Sequence, residues 1–271
     1  YGYLDRGWRH GSEAAPRTVA SRIGMATPKR IGILAAMPAE VAKLKGAVEG
    51  QEEFKRGVFV FTTGTLQGRA VVFAAANVGM VFAASAATTM INDFGVVKLV
   101  FTGVAGGLKD EQKVGDVVIG ESVVNYEFDC RAFKPGFDPD YTYQLGELPF
   151  LKWRFYDADP AMMDLALKAP APEGLRVSKG RIASGSTFVT VEAKISMKSQ
   201  VWVPLGLPAA CEMENAGVAQ ICKAYEVPYL SLRALSDVMS GDANADFDKF
   251  CQQAADNVFP IVQHVVVNIP L

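Results

Sequence analysis

Histidine is nearly missing from this chain. Two of its 271 residues are histidine, His10 and His264, one toward each end. That argues against a Ser-His-Asp or Cys-His mechanism and against a His-rich metal site. Cysteine is sparse as well. Cys130, Cys211, Cys222 and Cys251 stand far apart with no Cys-x-x-Cys pair, which reads as reduced thiols in a cytosol-like compartment, not as a disulfide framework or a zinc site. Neither sign of charge is in excess: 27 Lys and Arg stand against 29 Asp and Glu, a formal net charge of −2, and the basic residues form no dense cluster. A nucleic-acid surface is disfavoured on that ground. No apolar run reaches the length that spans a bilayer. The expectation is a cytoplasmic protein with no nucleic-acid or membrane partner, no metal and no cofactor. Acid–base chemistry would then fall to carboxylates.

What the chain does have is core-forming material: 50% of residues are hydrophobic, 21% are charged and 25 are glycine. Residues 1–29 lack any sustained period and carry Arg6, Arg9, Arg17 and Arg22. They are expected to be a tail or leader, largely mobile, with Met25 as a reasonable native start. From Arg30 onward the pattern is regular and shows no composition break, so residues 30–271 are read as one domain.

Ile31–Met37 is an apolar run of strand length, and Pro38–Lys45 follows as a helix with Pro in its first turn. Phe59–Gly64 and Ala70–Asn77 read as strands around the turn Leu66–Arg69, and Gly79–Phe94 as a small-residue helix. Lys98–Gly107 and Gly115–Val124 read as strands, and Asp129–Phe150 as a long aromatic loop, a feature more often functional than idle. Asp159–Ala169 is expected to be a helix, Gly180–Val189 a strand, Val191–Ser199 a short helix and Ala209–Met213 a strand. Glu214–Glu226 should be a helix facing inward with Val218, Ile221, Cys222 and Tyr225. Tyr229–Asp237 is a strand. Asp246–Val267 is a closing helix with Phe247, Phe250, Cys251, Ala254, Val258 and Ile261 inward and a kink at Pro260. Apolar strands alternating with helices predict a single-domain, three-layer α/β/α fold with a central mixed twisted sheet.

Three acids stand directly after apolar strands: Glu40, Glu214 and Asp237. Open α/β sheets bind ligands at the carboxyl edges of their strands. Taken singly, each acid is equally a turn residue or a first-turn helix carboxylate. Taken together they suggest buried, pKa-raised carboxyls of use as acids or bases.

Six segments, in order, carry a resemblance: Ile31-Gly-Ile-Leu-Ala-Ala-Met-Pro-Ala-Glu-Val41, Thr102-Gly-Val-Ala-Gly-Gly107, Lys113-Val-Gly-Asp-Val-Val118, Gly185-Ser-Thr-Phe-Val189, Glu212-Met-Glu214 and Arg233-Ala-Leu-Ser-Asp237. From Arg30 to about Ile261 the chain resembles the 5′-methylthioadenosine/S-adenosylhomocysteine nucleosidases of the nucleoside phosphorylase superfamily. The resemblance implies a nucleoside phosphorylase-like fold, an adenine nucleoside as small-molecule substrate and a homodimer. It also implies roles. Asp237 would protonate adenine at N7, Glu40 would deprotonate the attacking water, and Arg233 would help orient that water. Glu214 would accept hydrogen bonds from the ribose hydroxyls with Met213 beneath the sugar. Phe188 would stack on adenine while the Val189 backbone reads its edge. Met37 and Phe247 would line the slot for the 5′-alkylthio group, and Phe133 would reach the neighbouring subunit's pocket.

Two positions depart from the family's pattern. Val104 stands where Ser or Thr is frequent, so a second water or a backbone group would have to replace the hydroxyl. Asn215 replaces a small residue beside the sugar-binding acid. Phosphorylases of the superfamily place arginines after the first strand and at the Gly-rich strand end. Here those places hold Met37-Pro-Ala and Phe101-Thr-Gly-Val, and Glu40 would repel phosphate. Water is the expected nucleophile. The alternatives are a phosphate-using purine nucleoside phosphorylase and a non-catalytic storage or nucleoside-binding relative. The 5′ substituent (methylthio, homocysteinyl or futalosine type) is left open.

Overall fold

The computed structural model describes residues 28–271 apart from 137, 172 and 239–242, with the side chains of 243–246 and 248 also outside the description. All but the last two residues of the expected tail, 1–29, and the run Ser240–Asp242 that follows Tyr229–Asp237 therefore lie outside the described residues. Strand β1 (Arg30–Ala35) is buried from Ile31 onward. A 3₁₀ turn at Pro38–Val41 leads into the short helix α1 (Ala42–Ala47). An antiparallel meander follows: β2 (Glu49–Arg56), β3 (Phe59–Leu66) and β4 (Arg69–Ala75), and β4 pairs in parallel with β1. Next come α2 (Met80–Phe94), β5 (Val96–Gly107), β6 (Val117–Asn125), a long loop, and the two-residue β7 (Tyr156–Asp157).

The second half contains α3 (Pro160–Lys168), β8 (Val177–Ser184), α4 (Val191–Ser196) with a π-helical turn at Lys198–Trp202, β9 (Ala210–Glu212), α5 (Asn215–Ala224), β10 (Tyr229–Asp237) and α6 (Ala243–Asn268). Local chemistry starts these helices. Asp159 caps α3 by accepting the Met162 N–H at 2.9 Å, with Pro160 in the first turn, and the Thr190 hydroxyl accepts the Ala193 N–H for α4.

The strands form one mixed sheet in the order β10-β6-β8-β9-β5-β1-β4-β3-β2, with β7 beside β6 and β10 also bonded to β5. Five of them, β10, β6, β8, β9 and β5, thus close into a ring. β10 is parallel to β5 and antiparallel to β6, and every one of its residues is buried. One face of the sheet packs Leu230, Leu232 and Ala234 against Ala254, Val258 and Ile261 of α6. The other packs Leu99, Phe101 and Leu235 with Ala83, Met90, Val218 and Cys222 of α2 and α5. A third, smaller cluster holds Tyr126, Trp202, Val189 and Cys211. Helix α6 runs through Pro260. An interior proline costs about 3 kcal/mol, but each buried Val or Ile contributes roughly 1.5–3 kcal/mol, and Val258, Ile261, Val262, Val265 and Val266 are all buried. Among the described residues no helix is long and apolar enough to cross a membrane.

Several elements differ from the sequence reading. β2 was not foreseen because Glu49–Arg56 is almost wholly exposed and polar, with no apolar alternation to mark it; a charged edge strand resists pairing with other chains. β8 ends at Ser184, not Val189. The Tyr126 ring lies where a side chain on residue 185 would go, so Gly185 is required there, and the next residues leave the sheet. Tyr225 is 44% exposed rather than inward, its hydroxyl accepting from Asn92 at the helix surface. Phe250 borders a surface cleft with Val114 and Leu175 instead of joining the core.

Candidate active site

The carboxyl ends of β1, β5, β9 and β10 converge on a cavity of about 300 Å³. β1 leads to Ala36, Met37 and Glu40. β5 brings Val104, Ala105 and Gly106, β9 brings Cys211 and Glu212, and β10 brings Ser236 and Asp237. Met213 and Glu214 follow β9 directly. Thr187, Phe188 and Val189 come from the segment that departs the sheet at Gly185, Val78 from the approach to α2, and Phe247 from α6. Phe188 and Phe247 meet edge to face at 5.9 Å between ring centroids, and Phe188 is 41% exposed at the mouth.

Glu40 is 7% exposed. One oxygen accepts the N–H groups of Ala36 at 2.9 Å and Met37 at 2.7 Å, and the other accepts that of Val104 at 2.8 Å. Burial raises its pKa, against the opposing pull of Arg233 and of those three backbone donors. Glu214 accepts from the Gly79 N–H at 2.9 Å. Burial, and then the neighbouring Glu212, push its pKa up to about 7, with Arg233 opposing. Asp237 is 3% exposed, and the Ser236 hydroxyl donates to its carboxylate at 3.2 Å. Burial, and then Asp237 and Glu212, hold the Cys211 thiol in its protonated form.

Arg233 lies beneath the cavity, not in it. Its side chain is fully buried, with the guanidinium 4.4 Å from the centre of the Phe101 ring. It bonds Glu212 at 2.5 Å and stands 3.9 Å from Glu214 and 4.0 Å from Glu40. Burial by itself would lower its pKa, but Glu212, Glu40 and Glu214 raise it. The guanidinium and the Glu40 carboxylate approach the Cα of Gly103 so closely that no Cβ fits there, and the φ of this glycine is +154°.

Glu212 received no role in the sequence reading, yet it is the hub of the network. It accepts from Arg233, from the Ser184 hydroxyl and from the backbone N–H groups of Glu214 and Asn215. The available signal was the acid pair Glu212-Met-Glu214 straddling the end of a buried strand. Val104 supplies a backbone donor to Glu40 while its side chain lines the cavity. Asn215, which replaces a small residue beside Glu214, is fully buried at the start of α5 and does not line the cavity. Phe133 does not line the cavity of its own chain; it is 40% exposed and stacks on Tyr143, with Phe150 edge-on. Among the described residues, no Lys, Arg or His lines the cavity.

The chain is similar to known proteins over most of its length. Residues 30–267 match the phosphorylase superfamily. A 5′-methylthioadenosine/S-adenosylhomocysteine nucleosidase of Bacillus thuringiensis subsp. konkukian is 36% identical over 227 residues, 83% of this chain and 93% of that protein. The crystal structure of such a nucleosidase from Colwellia psychrerythraea, in complex with adenine, superimposes with a TM-score of 0.80 at 30% identity, covering 89% of this chain and 96% of that one. The futalosine hydrolase of Helicobacter pylori superimposes with a TM-score of 0.77 at 31% identity, covering 90% and 99%.

Proposed function

The chain belongs to the 5′-methylthioadenosine/S-adenosylhomocysteine nucleosidase family of the phosphorylase superfamily, and from that premise we propose that it hydrolyses the N-ribosidic bond of 5′-methylthioadenosine, S-adenosylhomocysteine or both. The products are adenine and the 5-thio-ribose. The observation that carries this reading is the pairing of Glu40, in the turn after β1, with Asp237, at the end of β10, on one cavity with no cation in its lining among the described residues.

Breaking the bond leaves positive charge on the sugar and electron density on the base. Asp237 gives its proton to N7, so adenine leaves neutral, and Glu40 takes a proton from water as its oxygen bonds to the anomeric carbon. Asp237 thus loses one proton and Glu40 gains one, and exchange with solvent resets both. The raised pKa of Glu40 suits it to accept that proton. Arg233 acts as a positioning residue, its charge reaching the cavity through Glu40, Glu212 and Glu214. Glu214 accepts from the ribose hydroxyls over Met213, Phe188 and the Val189 backbone hold the base, and Met37 with Phe247 receives the 5′ substituent. The Val104 side chain bounds the sugar, and its N–H keeps Glu40 in place. Exposed Phe133 reaches a second copy's pocket in a homodimer.

Phosphate attack would need cationic donors around a dianion, and the apolar lining beside Glu40 favours water. The test is adenine release from each nucleoside with and without phosphate. Phosphate-independent release with free 5-thio-ribose is expected; release that requires phosphate and yields ribose-1-phosphate would overturn hydrolysis.

A further inference from the structure

We infer that Asn215 is a positioning residue for Glu214, acting through a buried polar ladder between α5 and β10. Tyr229, Ser231 and Arg233 alternate along β10 and so share one face, and each touches the segment 212–215. The Asn215 amide donates to the Ser231 hydroxyl at 2.5 Å and accepts from the Tyr229 hydroxyl. The backbone N–H of the same residue donates to both Glu212 oxygens, at 3.1 and 2.9 Å. Glu212 in turn holds Arg233 at 2.5 Å. One residue therefore ties the first turn of α5 to β10 through its side chain and to the central ion pair through its backbone.

All three members of the ladder are buried: Asn215 and Ser231 are 0% exposed and Tyr229 5%. An amide in such a place is tolerated only when its hydrogen bonds are made, and an apolar residue of similar size would serve packing equally well. What the amide adds is direction. Two bonds at fixed angles prevent α5 from sliding or turning against β10. Glu214 is the residue immediately before Asn215, and its carboxylate is held in the cavity by a single backbone donor at 2.9 Å and an arginine at 3.9 Å. A shift of about 1 Å at the start of α5 would move that carboxylate off its target, and errors of that size are costly to a positioned group.

The inference rests on the nucleosidase reading, in which Glu214 accepts from ribose hydroxyls. Its test compares an adenine nucleoside with its 2′-deoxy counterpart in the unaltered protein, Asn215→Ala and Ser231→Ala. The ribose-to-deoxyribose ratio of kcat/KM should fall about tenfold in Asn215→Ala, near the worth of one hydrogen bond to a charged group. The fall should come mainly through KM, with the 2′-deoxy substrate changed less than about twofold. Ser231→Ala keeps the Tyr229 bond and should move the ratio the same way by less; it carries the test if Asn215→Ala does not fold. A ratio unchanged in both variants, even with a lowered Tm, would overturn the inference. Calorimetric binding of a non-hydrolysable adenine nucleoside and its 2′-deoxy counterpart reads the ratio independently of turnover. Absence of adenine release by the unaltered protein would count against the nucleosidase reading instead.

Discussion

Arg233→Met would strip the counter-charge from three buried carboxylates while keeping most of the side-chain volume. The guanidinium is 2.5 Å from Glu212, 3.9 Å from Glu214 and 4.0 Å from Glu40, and none of the four side chains is more than 6% exposed. Removing one partner of a buried ion pair costs about 3–5 kcal/mol, because the charge left behind has no compensation. Methionine retains an apolar contact with Phe101, so lost packing adds little. The deficit should depend on pH in a defined direction. Burial already raises Glu40 and Glu214, and Arg233 opposes that rise; without it both pKa values climb further. An acid whose folded pKa lies above its unfolded one supports the fold below the unfolded value and loses that support as pH rises through the folded value. Each unit of additional shift is worth about 1.4 kcal/mol. The gap between variant and parent should therefore be about 3–5 kcal/mol at pH 8, or roughly 6–20 °C in Tm for a chain of this size, and should shrink by more than half at pH 5. Thermal and urea unfolding at both pH values measure it. A gap that does not change with pH, or one below about 1 kcal/mol at pH 8, would refute the charge argument.

Three further outcomes are expected. Asp237→Asn should lower kcat for adenine release by about 10²–10⁴ and leave Tm within a few degrees; near-normal turnover would remove Asp237 from the role of acid. Glu214, raised to about 7 from 4.5, should make the ligand-free protein lose on the order of 3 kcal/mol as pH rises from 4.5 through 7. Glu214→Gln should flatten that slope in unfolding measurements. Binding of a non-hydrolysable nucleoside, which favours the ionised carboxylate, should tighten over the same interval. Gly185→Ala places a Cβ against the Tyr126 ring, so it should destabilise the fold by roughly 1–3 kcal/mol and raise KM more than it lowers kcat, since Phe188 and Val189 ride on that segment. Tyr126→Ala in the same chain should restore part of the KM but not the stability, since the buried ring also packs on Trp202.

By itself the sequence determined the alternation of strands and helices, the full extent of Tyr229–Asp237 and the acids at strand ends. Periodicity and residue type within one element carry that information. The six ordered motifs pointed to the family, and of the residues named from that resemblance Met37, Glu40, Val104, Phe188, Val189, Met213, Glu214, Asp237 and Phe247 line the cavity. Only the tertiary structure decided what Arg233 is. Position 233 reads the same whether its charge meets solvent, water in a cavity or buried acids. The pairing of β10 with β5 and β6, and the placement of β9 across β5, set it beneath the cavity against Glu212. What Glu212 and Asn215 bond was set in the same way, because their partners Ser184, Ser231, Arg233 and Tyr229 stand on other elements; the acid pair at 212 and 214 marked a site but not its contacts. Phe133 marks the limit of local reading: its aromatic character was plain, but its distance from its own chain's cavity emerged only from the folded loop. Local pattern records which face of an element is apolar. The energy of a buried charge depends on every element packed around it, and that environment exists only once the strands have paired.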